Sequence, residues 1–277
     1  MFKNYTPHPL VEALETAIDD ADYMETWNRC ISKLQENFTT VPLPSQFQYN
    51  EEYFMWIDIV ESVVQAKKQF VMFELGAGYG RSCIDAVTAL KFLNPIPFQF
   101  VAVEAEKNHF KFLTDYFRAH GLNLLEHKLV QAAVSHQAGN CLFHMGDANH
   151  WYGQCIANGV TVPLVEEDPL KRGIEVVKTV SLNSLLSEFQ CINLIDMDIQ
   201  GSELDVLSAS IELLNKKVKR LHVATHSPKI DSEVEELFSS HGWKNIYLFS
   251  CLKKNKTPYG KIVFQDGIQS WINPRLK

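Results

Sequence analysis

Two short stretches of the 277-residue chain hold the residue types that do chemistry. The first runs from Val71 to Gly80, where Glu74 stands two positions before the first of three alternating glycines, Gly76, Gly78 and Gly80. Glycine accepts unusual dihedrals and presents no side chain, so such a turn lets a ligand touch the main chain. A dinucleotide turn needs G-x-G-x-x-G, with the last glycine packing helix on strand. Here the third glycine comes one residue early and Arg81 takes the sixth position. A pyrophosphate would also meet like charge at Glu74, whereas a ligand bearing an ammonium group would be welcomed by it. A glycine turn that binds nothing is the bland alternative.

The second stretch, Cys191 to Leu204, contains Asp196 and Asp198. Two residues apart on a strand, they point to the same side of a sheet, and like charge pushes one of the two carboxyl pKa values upward. Carboxylates are tolerated there only near the C-terminal end of a buried strand, which is where open α/β sheets bind ligands. His226 ends the following strand, so its ring can converge with Asp198 on one acceptor proton; a histidine titrates near neutrality and serves as a base without a large shift. The expected catalytic set is therefore His226, Asp198 and Asp196. His226 capping a strand end is one alternative. A divalent metal on Asp198, His226 and Asp147 is another, less favoured because no compact ligand motif is present. Glu203, in the first turn of the next helix, complements the helix dipole.

The elements that must position these groups follow from periodicity. Gln69 to Phe73 reads as a short buried strand, and Arg81 to Leu90 has apolar residues at helical spacing. Phe98 to Val103 is a second strand ending at Glu104, whose carboxylate can accept both vicinal hydroxyls of a ribose; Glu106 is the competing acid. Asn108 to His120 forms a helix, and Leu129 to Val134 a third strand, in which Ala132 and Ala133 leave room for a flat base or pack a helix closely. Cys141 to Met145 and Val177 to Val180 alternate like strands, and Lys219 to Thr225 is the fifth strand of the main sheet. Ile246 to Ser250 and Gly260 to Phe264 read as a terminal antiparallel hairpin. Between Met145 and Arg172 lies a long segment without period, and Asp147, His150, Trp151, Tyr152 and Gln154 cluster at its start. Loops of that length are often lids, so these five are the expected substrate contacts. Upstream, two amphipathic helices between Pro9 and Asn37 and a third from Glu51 to Lys67, with Phe54, Ile57, Val60 and Val64 on one face, form a helical cap over residues 1–68. Residues 69–277 are the main domain.

Composition sets outer limits. Hydrophobic residues at 46% and charged residues at 21% describe an ordinary globular chain. A net charge of −7 opposes general nucleic-acid binding, which needs a basic face. Six scattered cysteines with no C-x-x-C pair read as reduced thiols of a cytoplasmic protein. No apolar run reaches membrane-spanning length, so neither nucleic acid nor membrane is an expected partner, and homo-oligomerisation is left open.

Acid-x-G-x-G-x-G after the first strand resembles motif I of the class I S-adenosylmethionine-dependent methyltransferases. Val177-Lys178-Thr179-Val180-Ser181-Leu182 together with Asp198-Ile199-Gln200-Gly201-Ser202-Glu203 is similar to the FkbM family within that class, over about Val71 to Trp243. Members typically have Lys where this chain has Asp196 and often Glu where it has Gln200. The resemblance implies a Rossmann-like, doubly wound α/β fold with a seven-stranded, mostly parallel sheet and one reversed terminal strand. It implies S-adenosylmethionine as cofactor, with Gly76, Ala77, Gly78 and Gly80 against its amino acid end, Glu74 near its ammonium, Glu104 and Ala105 at the ribose, Ala132 and Ala133 beside adenine, and Asp198 near the methyl group. The implied activity is O-methylation of a hydroxyl on a small molecule or sugar. N-methylation, a nicotinamide-dependent oxidoreductase and an inactive binding protein are the alternatives.

Overall fold

The computed structural model describes residues 51–145, 154–157, 173–257 and 260–276. Of the expected cap, one helix falls within them, α1 (Glu51–Gln65). Asp147, His150, Trp151 and Tyr152 lie outside the described residues. The chain then alternates through β1 (Phe70–Leu75), α2 (Arg81–Leu93), β2 (Phe98–Glu104), α3 (Lys107–Ala119) and β3 (Lys128–Gln131). After an excursion described below come β8 (Ile192–Met197), α5 (Glu203–Lys217), β9 (Val218–Thr225), α6 (Pro228–Ser240), β10 (Lys244–Phe249) and β13 (Gly267–Ile272). These strands form one seven-stranded sheet in the order β10-β13-β9-β8-β1-β2-β3. β13 runs antiparallel to both of its neighbours, while β9, β8, β1, β2 and β3 pair in parallel. The Rossmann-like fold is thus present, with its reversed strand at the end of the chain.

Burial explains why the sequence folds so. Parallel strands covered on both faces read as near-continuous apolar runs, and β1 and β8 are buried at every position. One face of the sheet packs Val71, Phe73, Leu75, Ile195 and Val223 against α4 (Leu182–Ser187), α5 and α6. The other packs Phe70, Met72, Phe100 and Leu194 against α1, α2 and α3. α1 therefore belongs to the same core as the sheet. It is buried on most of its circumference rather than along one stripe; Val63 is fully covered, whereas Val64, expected on the inner face, is 54% exposed.

Two expectations need correction. The third strand does not run through to Val134: it stops at Gln131, the Ala132 N–H donates to the Glu104 carbonyl, and the chain leaves the main sheet. β4 (Ala133–Ser135), β5 (Gly139–His144), β6 (Cys155–Ile156) and β7 (Ile174–Ser181) form a second, four-stranded sheet ordered β4-β7-β5-β6. The small residues at Ala132 and Ala133 are where this exit occurs. The terminal hairpin is also different. β10 pairs with β13, and Gly260–Val263 (β12) pairs instead with Lys254–Thr257 (β11) in a separate ribbon. Gly267–Ile272 has no period of two, since Gln269 and Ser270 are buried between Ile268 and Trp271, so alternation did not mark it as a strand.

Candidate active site

The glycine turn is fixed by its neighbours before any ligand is considered. Gly76 has φ 82°, and a Cβ there would lie 1.7 Å from the Asp198 carbonyl oxygen. The Asp198 N–H in turn donates to the Leu75 carbonyl at 2.9 Å. Gly80, at φ 84°, ends the turn as the residue before α2, and a Cβ would strike Leu113 and Phe117 of α3. The Gly76 and Ala77 N–H groups both donate to the Val103 carbonyl, and Ala77 is buried, so those two amides are spent within the fold. Gly78 donates its N–H to Glu104 Oε2 at 2.8 Å.

Glu104 is thereby held at the end of β2, its other oxygen accepting from the Glu106 N–H at 2.7 Å. Burial pushes its pKa up to about 7 against those bonds. Glu106, the competing acid, instead caps α3 by accepting from the His109 N–H. Glu104 lines a cleft with Gly76, Gly78, Ala105, Ala133, Asp198 and Gln154. Ala132 borders the same cleft.

Glu74 accepts from the Ser82 and Cys83 N–H groups at 3.1 and 2.9 Å. It binds the first-turn donors of α2, where negative charge is favoured, yet burial, reinforced by Asp196, raises it to about 7. Strand register explains that neighbour. Glu74 pairs with Asp196, Asp196 with His222, His222 with Ser270, and Ser270 with Tyr247. Residues directly opposite share a face, so five strands contribute one polar rung to an apolar surface. α1 completes it. Asp58, fully buried, accepts from Arg220 Nη1 at 2.5 Å, Ser270 Oγ at 2.6 Å and His222 Nδ1 at 2.8 Å, and the Tyr247 hydroxyl also donates to it. Burial alone would raise Asp58, but His222 and Arg220 outweigh it and hold the carboxyl below its ordinary value. His222 is raised, Asp58 and Asp196 overcoming the effect of burial.

Asp196 and Asp198, expected to act together with His226, part company. Asp196 belongs to the rung beside His222, and burial raises its pKa. Asp198, one residue past β8, meets His226: its Oδ1 lies 3.2 Å from Nε2, while Nδ1 donates to Glu203 Oε1 at 2.8 Å. The Gln200 amide sits 2.8 Å from Asp198 and 2.9 Å from His226, on a turn where Gln200 takes φ 53° and Gly201 φ 100°. A non-glycine residue at positive φ is uncommon and recurs at functional sites. Burial would lower His226, but Asp198 and Glu203 raise it to about 10. The expected base is therefore an imidazolium at neutral pH. Glu203 sits in the first turn of α5 as expected and also anchors that ring. Asp198, Glu203 and His226 each place a ligand atom within 4.8 Å of the others, the one such group among the described residues, but their contacts are already those of an ion-pair relay.

Sequence reasoning missed Asp58, Arg220, His222 and Asp266. The signal was faint: Arg220 and His222 interrupt an apolar strand, and Asp58 an apolar helix. Asp266 Oδ1 lies 3.8 Å from His226 Nε2.

A glycine turn and an acid at the ends of the first two strands, with a carboxylate–imidazole pair at the ends of the next two, on a 3-2-1-4-5-7-6 sheet, define the Rossmann-like class I methyltransferase architecture. The chain belongs to the FkbM methyltransferase family: the profile of the methyltransferase FkbM domain matches residues 76–244, more than half of its length. A relative from Jannaschia sp. (strain CCS1), described as "Putative methyltransferase", is 23% identical over 225 residues, 80% of this chain and 78% of that one. Among solved structures, the methyltransferase FkbM of Methylobacillus flagellatus KT is similar at TM-score 0.47 and 13% identity, over 95% of this chain and 58% of that one. Precorrin-6y C5,15-methyltransferase of Geobacter metallireducens GS-15 is similar at TM-score 0.41 and 13% identity, over 77% and 85%. A "putative RNA methyltransferase PH1948" of Pyrococcus horikoshii gives 0.42 and 11%, over 91% and 97%.

Proposed function

We propose that this methyltransferase uses S-adenosylmethionine to O-methylate a hydroxyl of a small molecule or sugar. The observation that carries the reading is the place of Asp198, which lines both the cleft beside Glu104 and a second cavity beyond Gly76. One chamber suits a nucleoside and the other an acceptor, and Asp198 stands between them.

The residues of the first chamber fit the cofactor by their chemistry. Glu104 is a buried carboxylate, pushed up to about 7, and would accept hydrogen bonds from the ribose hydroxyls beside Ala105; Ala132 and Ala133 would flank the adenine; past Gly76, on the side of the second cavity, Glu74 would face the ammonium. When bound, the cofactor supplies an electrophilic methyl carbon on a sulfonium. The protein's part is alignment, which supplies much of the acceleration in such a displacement, and disposal of one proton. That proton passes from the acceptor hydroxyl to the Asp198 carboxylate, half-exposed at the junction. His226, already charged, holds Asp198 in place and balances its charge, and Glu203 Oε1 fixes the ring through Nδ1. Nucleic acid is not proposed as acceptor, because the second chamber is lined by carboxylates that repel phosphate. No described helix is long and apolar enough to cross a membrane. Cys83, Cys141, Cys191 and Cys251 are free thiols, which supports a cytoplasmic setting.

Calorimetry with S-adenosylhomocysteine and with NAD tests the cofactor, and binding of NAD alone would overturn it. Labelled cofactor incubated with a metabolite extract identifies the acceptor. Asp198→Asn and His226→Ala are each expected to lower turnover by about 100-fold or more, the range of general-acid–base contributions, and His226→Ala is expected to leave S-adenosylhomocysteine affinity nearly unchanged. Full turnover in both variants would remove the proton-transfer role.

A further inference from the structure

Among the described residues only Gln200 and Leu252 take a positive φ without being glycine, Gln200 at 53°. Glycine is the residue that such backbone favours, and a side chain kept there costs stability. Gly201, the next residue of the turn between β8 and α5, meets the same demand at φ 100° with no side chain at all. The Gln200 side chain reaches the carboxylate–imidazole pair. Its Nε2 donates to Asp198 Oδ1 at 2.8 Å and lies 2.9 Å from His226 Nε2. An ionised carboxylate only accepts, so the amide turns its nitrogen toward Asp198. The charged His226 ring brings Nε2 to within 3.2 Å of the same oxygen, while its Nδ1 is committed to Glu203 Oε1, which also accepts from the Gly201 N–H at 3.0 Å. Two donors therefore converge on one oxygen of Asp198. No described residue donates to the other, Oδ2, although the side chain is half-exposed where the two chambers meet. Gln200 itself lines the nucleoside cleft beside Asp198.

We infer that Gln200 is a positioning residue of the transfer step: with His226 it pins Asp198 Oδ1 from two sides and leaves Oδ2 as the atom that takes the acceptor's proton. The acceptor O–H bond breaks, its proton passes to Oδ2, and its electron pair stays on oxygen to form the bond to the methyl carbon, whose former bonding pair remains on sulfur. His226 and Gln200 keep their protons throughout. A carboxylate held by one donor can swing about the bond that carries it, whereas two donors on one oxygen fix where the second oxygen points. Orientation is worth this much because a misplacement of about 1 Å can cost about 100-fold in rate. Donors to the charged form also make a carboxylate a weaker base, so the pin trades basicity for alignment. The charged groups around Asp198 are His226, with Glu203 and Asp266 behind it, and Asp196 and His222 on the strands. Gln200 is neutral, so removing it deletes a hydrogen bond and no charge.

The inference rests on the methyl-transfer reading, and the experiment separates the two. The full chain is first titrated with S-adenosylhomocysteine; absence of binding would undo the cofactor assignment by itself. Gln200→Gly is then compared with the unsubstituted chain. Glycine takes positive φ without strain, so the variant is expected to unfold at the same urea concentration or a higher one. On protein saturated with S-adenosylhomocysteine, the carboxyl carbon of Asp198, assigned by its loss in Asp198→Asn, is followed by NMR through a pH titration. Loss of the Gln200 donor is expected to move its midpoint up by about one pH unit, a tenfold change in the equilibrium. With labelled cofactor and a metabolite extract, turnover at the pH plateau is expected to fall about tenfold or more, and the acid limb of the pH–rate profile to move up with the carboxyl midpoint. Gln200→Glu keeps the length of the side chain but cannot donate to Asp198, and is expected to lose turnover as Gln200→Gly does. A residue that only fills the turn moves neither readout: an unmoved Asp198 midpoint in Gln200→Gly, or full turnover in either variant, would overturn the inference. Should Gln200→Gly fail to fold, Gln200→Glu serves by itself, a moved midpoint supporting the inference and an unmoved one overturning it.

Discussion

The two faces of the seven-stranded sheet are built by opposite rules. Toward α4, α5 and α6, β1, β8 and β9 present Phe73, Leu75, Ile195, Met197, Leu221 and Val223, all fully covered and apolar. Toward α1 and α2, β1 and β8 begin in the same way, with Phe70, Met72 and Leu194, and then change over to Glu74 and Asp196, level with His222 of β9, which already carries Arg220 on this face. Both sets are buried, the rung a little less so, with Asp196 at 8% exposed against 1% or less on the apolar face. What differs is where each face leads: Glu74, Asp196 and His222 of the polar rung line the second chamber. Apolar packing runs the full depth of one side of the sheet, and on the other it gives way at one level to titratable groups.

Three experiments break or sharpen that contrast. The largest effect is expected from Asp58→Ala, which strips the counter-charge from Arg220 and His222 together; loss of one partner of a buried ion pair costs about 3–5 kcal/mol. Urea unfolding measures it, and a change below 1 kcal/mol would mean that the rung does not depend on α1. Ile195→Ala, on the apolar face, should cost about 2–5 kcal/mol by loss of packing, with S-adenosylhomocysteine affinity of the folded fraction unchanged. A loss of affinity there would show that the faces are not separable.

The smallest effect is a slope in pH. Glu74 and Glu104 are raised from 4.5 to about 7, so between those values the folded chain keeps protons that the unfolded chain has released. Stability contributed by these groups therefore falls as pH rises from 4.5 to about 7, by at most about 1.4 kcal/mol per pH unit for each, and is flat above. Glu74→Gln should reduce that slope in unfolding curves taken across the window. His226 works in the other direction in the acid–base sense but with the same sign: raised from 6.5 to about 10, its contribution is whole below 6.5 and is lost as pH climbs through 10. An unchanged slope in Glu74→Gln would place that carboxylate's titration outside the window.

Much of this was legible before any coordinates. The strand–glycine–helix succession, the acid ending β2 and the meeting of Asp198 with His226 all follow from local spacing, because each depends on what happens at a strand end. The second sheet was not legible. The exit at Ala132 is marked only by two small residues, which fit a continuing strand equally well. The pairing of β10 with β13 was hidden because the buried polar pair Gln269 and Ser270 breaks any alternation in β13. The rung was hidden most deeply, since Asp58 and His222 are 164 residues apart and neither carries a motif. For His226 the position was readable but the charge was not, because its pKa depends on Glu203 reaching back from the next helix.

The contact between Gly76 and Asp198 has a mechanical consequence. With no room for even a methyl group between the turn and the Asp198 carbonyl, and with the Asp198 amide bonded to Leu75, the loops after β1 and β8 are keyed together like two teeth of a gear. Neither can slide without carrying the other. A ligand that seats against the glycine turn therefore sets the position of the carboxylate on the far side, and filling one chamber tunes the alignment of the next.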